Sequence, residues 1–195
     1  CPWMVAALRR FRERFDWQAA VPAVSRLVIC VIAAGLAMKP ASASASPVGD
    51  AKDWLSKQVN ANGGFGMQPG DDSSLEMTTW AMLGLGKVGK EIQKVKSANG
   101  STPVSYLKNN RGDIDHAAIL AKSILALKAT NENPRSLGGV NLVKKLQRKV
   151  KDNPTSSGKI NTSAYVLMAL RAVEVDRSEL VDTERWICRS QNNDG

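Results

Sequence analysis

Histidine, cysteine and aromatic residues are scarce in this sequence of 195 residues. It contains one histidine and three cysteines, and 5% of its residues are aromatic. A zinc site needs several imidazole, thiolate or carboxylate ligands that converge on one ion, and no suitable spacing of such residues occurs. We also find no phosphate-binding loop, no nucleophile elbow and no Cys-Gly-Glu-Gln run for an internal thioester. The sequence therefore predicts neither a metal site nor a cofactor.

The first 45 residues differ in composition from the rest and predict an export signal. Five arginines precede an unbroken run of twelve apolar residues at 27–38, and alanine alternates with serine at 41–45. This order is typical of a secretory signal peptide. The alternative is an uncleaved membrane anchor, but twelve helical residues span only about 18 Å of a bilayer core that is about 30 Å thick. We therefore expect 1–45 to be a leader and the protein to be secreted or at the cell surface, with membrane contact only through this segment if it stays uncleaved.

The remaining segment, 46–195, carries a modest positive charge and one cysteine. Its 21 basic and 16 acidic residues give a net charge of +5, and its densest basic cluster is four lysines between positions 87 and 96. No aromatic residue interleaves with these lysines, so we interpret them as solvated and expect no nucleic-acid partner. We expect Cys188 to pack against an apolar helix face.

Apolar residues recur with the period of an α-helix through most of 46–195, and no stretch alternates for long enough to predict a strand. Three apolar stripes are copies of one another at offsets of 42 and 43 residues, with cores at 82–85, 124–127 and 167–170. A fixed period of this length predicts tandem helical hairpins. We expect neighbouring helices to approach closely at the third residue of each core, which is Gly84 in the first copy.

The pattern predicts seven helices, or three and a half hairpins. Asp50 and Asn141 are expected to cap two of them, and Pro103 suits the first turn of a third. The predicted ranges are 50–60, 74–88, 103–110, 113–130, 139–151, 160–174 and 178–191.

One sequence pattern occurs near both ends of the helical segment. At 54–66 a Trp-Leu pair precedes Gln58, an asparagine-rich stretch and Gly-Gly-Phe-Gly, and at 186–195 a Trp-Ile pair precedes Gln191, Asn-Asn-Asp and Gly. Tryptophan and the first glycine are nine residues apart in both copies. We interpret the pattern as a helix that ends in a turn, where amide side chains bond backbone groups, glycine adopts a left-handed conformation and Phe65 folds back onto the hairpin.

This pattern resembles the Gln-Trp repeat of the squalene cyclase and protein prenyltransferase superfamily. The first copy departs from the family pattern because Gln58 lies one position early. The resemblance covers 50–195 and implies an all-α fold, in which tandem helical hairpins form part of an α/α toroid, in a bacterial exported member. We expect the toroid to be incomplete at the C-terminus, because the second copy of the turn stops at Gly195. The superfamily includes cyclases, prenyltransferases and cobalamin carriers, so the fold alone selects no function.

The strongest catalytic candidates are Asp113 and Asp115. With Ile114 between them and His116 after them, they resemble the Asp-x-Asp-Asp-Thr-Ala motif of class II terpene cyclases. The resemblance implies that Asp115 is the general acid that protonates an alkene or epoxide. His116 and Ala117 depart from the motif, where the family has aspartate and threonine. The interpretation we favour is that both carboxylates stand at a helix start, where they cap the helix and oppose its dipole.

A second acidic pair, Asp71 and Asp72, also allows two interpretations. The carboxylates could ligate a cation within a loop. They could instead belong to a turn that is followed by a serine helix cap, which is the interpretation we favour.

Two functions remain. The first is an exported, non-catalytic repeat protein that binds a small hydrophobic ligand or a protein partner in its ring. The second is a terpenoid cyclase of the squalene type, or a prenyltransferase-like enzyme, that uses Asp115 as general acid. The scarcity of aromatic residues argues against the second function, since carbocation intermediates need aromatic faces. We therefore predict the first.

Overall fold

Seven α-helices follow one another in the computed structural model, which describes residues 46–89, 92–155 and 158–193. These residues contain no β-strand, so the prediction of an all-α fold is confirmed for the described part of the chain. Every predicted helix is present, with its ends within four residues of the predicted ones. The helices are α1 Pro47–Ser56, α2 Leu75–Lys87, α3 Pro103–Asn109, α4 Ala117–Ala129, α5 Leu142–Asp152, α6 Ile160–Ala172 and α7 Val181–Arg189. The predicted leader, 1–45, lies outside the described residues.

The three helices that carry the repeated stripe, α2, α4 and α6, pack side by side with α4 in the middle. The other helices pack against members of this row: α1 and α3 contact α2, α5 contacts both α4 and α6, and α7 contacts α6. Each row helix is thus followed along the chain by a helix that packs back onto the row. This arrangement is consistent with the predicted helical repeat.

The core of the row consists of the repeated apolar positions themselves. Two sets of three equivalent residues are at most 3% exposed, and each set takes one residue from each row helix. They are Met82, Ile124 and Leu167, and Leu85, Leu127 and Leu170. Burial of a side chain of this size contributes about 1.5–3 kcal/mol. The repeat in the sequence is therefore a repeat of buried contacts.

The close approach between row helices lies two residues beyond the predicted position. Gly84 is exposed, and a Cβ atom there would meet nothing within 4 Å, so the expectation for this residue is wrong. The approach occurs at Gly86 instead, where a Cβ atom would lie 2.5 Å from the carbonyl oxygen of Ala129 on α4. The stripe of large residues turns position 84 toward solvent and leaves position 86 facing the neighbouring helix.

Helix starts follow the predicted caps in two of three cases. The side chain of Asn141 accepts a hydrogen bond from the N–H of Lys144 at 2.9 Å and caps α5. Pro103 lies in the first turn of α3, as predicted. Asp50 lies in the first turn of α1, whose cap is Ser46, so the prediction that Asp50 is the cap is wrong.

The turn after α1 has the predicted construction. The Asn62 side chain accepts hydrogen bonds from the N–H of Gly64 at 3.0 Å and from the Ser73 hydroxyl at 2.7 Å. Phe65 is only 3% exposed, and its N–H donates to the hydroxyl of Thr78 at 2.9 Å. The turn therefore locks α1 onto the start of α2. The last glycine of the second copy, at position 195, lies outside the described residues.

Gly63→Ala should destabilise the protein much more than Gly100→Ala. Both glycines have left-handed backbones, with φ of +88° and +85°. A Cβ atom on Gly63 would lie 2.4 Å from the carbonyl oxygen of Thr102, whereas Gly100 has open space. We expect a loss of about 1 kcal/mol for Gly100→Ala, from backbone strain alone, and of about 3 kcal/mol or more for Gly63→Ala. Urea unfolding followed by circular dichroism measures both, and equal losses would contradict the described turn.

Candidate functional site

Asp113 and Asp115 lie exposed in the turn that connects α3 to α4. The two carboxylate oxygens of Asp115 lie 3.0 Å from Lys145 Nζ and 3.2 Å from Lys149 Nζ. Hydrogen bonds from Lys145 and then Lys149 hold the pKa of Asp115 below its ordinary value. A general acid must be protonated when it acts, and two ammonium groups favour the ionised carboxylate. Catalysis by Asp115 and Asp113 stays a prediction that these surroundings do not favour.

The turn before α4 also differs from the predicted helix cap. The helix begins at Ala117, four residues later than predicted, and the side chain of its N-cap residue, His116, makes no capping hydrogen bond. Asp115 instead pairs with α5, and Lys145 donates a further hydrogen bond to the carbonyl of Ile114 at 2.7 Å. The acidic turn therefore ties one hairpin to the next helix.

The ligating side chains of the described residues do not come together in a metal site. Within the described part of the chain, no group of three or more His, Cys, Asp or Glu residues could hold a metal ion. Ser74 caps α2 by accepting a hydrogen bond from the N–H of Met77 at 3.1 Å, so the acidic pair at 71–72 precedes a serine cap as we favoured. Cys188 lies half-buried on α7, and its packing against an apolar helix face stays a prediction.

A different set of residues does come together, on the row of α2, α4 and α6. Trp80, Lys122 and Tyr165 occupy equivalent positions, since they are 42 and 43 residues apart. The Nζ atom of Lys122 lies 5.3 Å from the ring centroid of Trp80 and 5.4 Å from that of Tyr165. The two ring centroids are 5.9 Å apart, with an angle of 76° between the planes. Two rings thus enclose one ammonium group, at distances where cation–π attraction operates.

Lys122 is buried and paired with a more exposed carboxylate. The residue is 8% exposed, and its Nζ atom lies 2.5 Å from the Oε1 atom of Glu76. The side chain of Glu76 is 50% exposed. The hydrogen bond from Lys122 lowers the pKa of Glu76, against a smaller upward effect of burial. The buried ammonium is therefore balanced by a carboxylate from the first turn of α2.

An apolar set lies one helical turn further along the same three helices. Leu83, Leu125 and Met168 each follow a residue of the first set by three positions, which places them on the same side of the helix. Leu83 and Leu125 are half-buried, and Met168 is 38% exposed. We call the six residues of the two sets the repeat face: Trp80, Lys122, Tyr165, Leu83, Leu125 and Met168.

The repeat face was not predicted from the sequence, because its residues belong to three different repeats and form no short motif. The available signal was the alignment of the three stripes, which places a lysine in the second copy between a tryptophan and a tyrosine.

Comparison with known proteins adds no assignment. No protein-family model, no curated protein and no solved structure matches the chain significantly. Among the helices of the described residues, none combines the length and apolar character that a membrane span requires.

We expect the protein to lose stability in acid, and Glu76→Gln should reduce that loss. Because the folded-state pKa of Glu76 is lowered, its ionised form stabilises the fold above the unfolded pKa, and this stability is lost as the pH falls through the lower folded value. The difference in unfolding free energy between the unmodified protein and Glu76→Gln should be largest near neutral pH and should shrink below about pH 4.5. Urea titrations across this range measure it.

Glu174→Gln is the matched control for this measurement, since Glu174 is also an exposed glutamate and the substitution removes the same charge. It reports the general effect of the loss of one exposed negative charge. A constant difference for Glu76→Gln across the pH range would contradict the described ion pair.

Proposed function

We propose that the chain is part of an exported, non-catalytic helical-repeat protein that binds a small hydrophobic ligand or a protein partner on the repeat face. The hairpins would form part of an α/α toroid of the squalene cyclase and prenyltransferase type. The observation that carries the proposal is the convergence of Trp80, Lys122 and Tyr165 from equivalent positions of three repeats.

The contrast between core and surface positions supports this proposal. At the core positions 85, 127 and 170 all three copies have leucine, because each repeat must bury the same contact. At the repeat-face positions 80, 122 and 165 the copies have three different side chains, two of them aromatic with a polar group. A common packing requirement would favour similar residues there. Differences in chemistry on one side of a repeat array are typical of a binding surface.

Exposure of the face also supports the proposal. Trp80 is 41% exposed and Met168 is 38% exposed, although both side chains are large and apolar. Their neighbours Leu83, Leu125 and Tyr165 are half-buried. A cluster of partly exposed apolar and aromatic groups around one charge suits an amphipathic ligand better than bulk water.

The composition of residues 1–45 supports export. The surroundings of Asp115 support a non-catalytic function. Its carboxylate is paired with two lysines, which stabilise the ionised form. A cyclase acid requires the opposite environment.

Nuclear magnetic resonance of the full chain tests the binding proposal. The indole N–H signals of Trp80, Trp54 and Trp186 report on three separate places. Mixtures of small apolar and amphipathic compounds should shift the Trp80 signal and leave that of Trp54 in place, although Trp54 is the more exposed of the two at 57%. Compounds that shift Trp54 and never Trp80 would contradict a binding site on the repeat face.

The non-catalytic part of the proposal has its own test. Incubation of the full chain with isoprenoid substrates should give no product by mass spectrometry. Formation of a cyclised or transferred product would overturn it, and Asp115→Asn would then show whether that carboxyl is the acid.

A further inference from the structure

The charge of Lys122 is not explained by the packing of the helical row. The equivalent residues in the flanking repeats are Trp80 and Tyr165, so this position accepts uncharged side chains. Lys122 is 8% exposed, and removal of an ammonium group from water is unfavourable even when a carboxylate is paired with it. Replacement of such a pair by apolar residues is often neutral or stabilising. Cation–π contacts with both rings and the pair with Glu76 offset this cost, and they hold the ammonium group as the one charge among the six residues of the repeat face.

The partner of Lys122 is arranged so that another anion can replace it. An ammonium group has three N–H donors, and the Oε1 atom of Glu76 accepts from one of them at 2.5 Å. The side chain of Lys122 is 10% exposed while that of Glu76 is 50% exposed, so the carboxylate lies on the solvent side of the pair. Hydrogen bonds from Lys122 and from Trp80 both lower the pKa of Glu76, so the half-exposed carboxylate exchanges these two contacts for water when it leaves. A carboxylate that arrives from solvent can then take the same donor.

The residues around Lys122 and Glu76 indicate which chemical group should carry the arriving carboxylate. Trp80 and Tyr165 cover Lys122 with ring faces, and the apolar set Leu83, Leu125 and Met168 begins one turn further toward the C-terminal ends of the same helices. Gly84 adds open space, since a Cβ atom there would meet nothing within 4 Å. A ligand held at Lys122 by one end would therefore place its remaining atoms on apolar surface.

We infer that the repeat face binds an apolar monocarboxylate, whose carboxylate replaces Glu76 on Lys122 and whose apolar chain lies over Leu83, Leu125 and Met168. This inference rests on the proposed function, since it assigns a ligand class to the same face. Lys122 acts as the charged anchor, and Glu76 acts as an internal competitor that neutralises the anchor when the ligand is absent.

The charge of the ligand separates this class from others. A cationic amphiphile would be repelled by Lys122 once Glu76 is displaced, and an uncharged chain would gain apolar contacts alone. A carboxylate gains both the apolar contacts and a charge-assisted hydrogen bond. Selectivity for the anion over an uncharged molecule with the same chain is therefore the signature of the site.

Calorimetric titration of the full chain with decanoate, and separately with 1-decanol, tests the inference. Both compounds are used below the concentrations at which they aggregate. We expect decanoate to bind about tenfold more tightly than 1-decanol, because the charged hydrogen bond is made only by the anion. Decanoate should also shift the indole signal of Trp80. Equal affinity for the two compounds would overturn the inference.

Substitutions at the pair supply an independent measurement. Lys122→Met keeps a long apolar side chain and should weaken decanoate binding about tenfold while leaving 1-decanol unaffected. Lys128→Met, at an exposed lysine of the same helix, is the matched control and should retain the binding of the unmodified protein. Equal losses for Lys122→Met and Lys128→Met would show only general attraction to a basic surface and would overturn the inference.

Glu76→Gln changes the site in the opposite direction and keeps the inference testable if Lys122→Met fails to fold. Removal of the competing carboxylate should tighten decanoate binding several-fold, and unchanged or weaker binding would overturn the inference. Failure of decanoate while other compounds still shift the Trp80 signal would reject the ligand class and leave the proposed function standing. If no compound shifts that signal, the result contradicts both the inference and the proposed function.

Discussion

Leu85, Leu127 and Leu170 pack at equivalent positions of α2, α4 and α6, and the remaining structure depends on this repeated burial. An isolated amphipathic helix of about a dozen residues is marginal in water, so each row helix requires a neighbour that covers its apolar side. When the same residue of each helix is buried in the same way, the helices share one register. That register brings residues 80, 122 and 165 to the same level, where side chains that are 42 and 43 residues apart can touch.

The register has an electrostatic consequence at Lys122. A lysine in an apolar row would ordinarily extend its ammonium group to water. Here the rings of the two flanking repeats cover it, and Glu76 supplies the opposite charge from the solvent side. The pair carries net charge zero at neutral pH but is asymmetric in exposure. This asymmetry is what makes the carboxylate replaceable and the ammonium group fixed.

The residues that stood out as motifs have structural contacts in the described chain. Asn62 and Phe65 lock the turn between α1 and α2, and Asp115 ties the turn before α4 to Lys145 and Lys149 of α5. These contacts hold successive hairpins in place. The candidate binding residues, by contrast, belong to no short motif. They stand out only when one repeat is compared with the next.

The helices and their order could be predicted from the sequence because their signals are local. Apolar spacing, the cap at Asn141 and the left-handed backbone at Gly63 each act within a few residues, and the prediction located all seven helices from such signals. Other features depended on distant partners. The close approach at Gly86, the pairing of Asp115 and the enclosure of Lys122 each involve residues that are 30 or more positions apart. Local spacing determines which side of a helix is apolar, whereas contacts between helices depend on how those sides meet, and only the tertiary structure decided that.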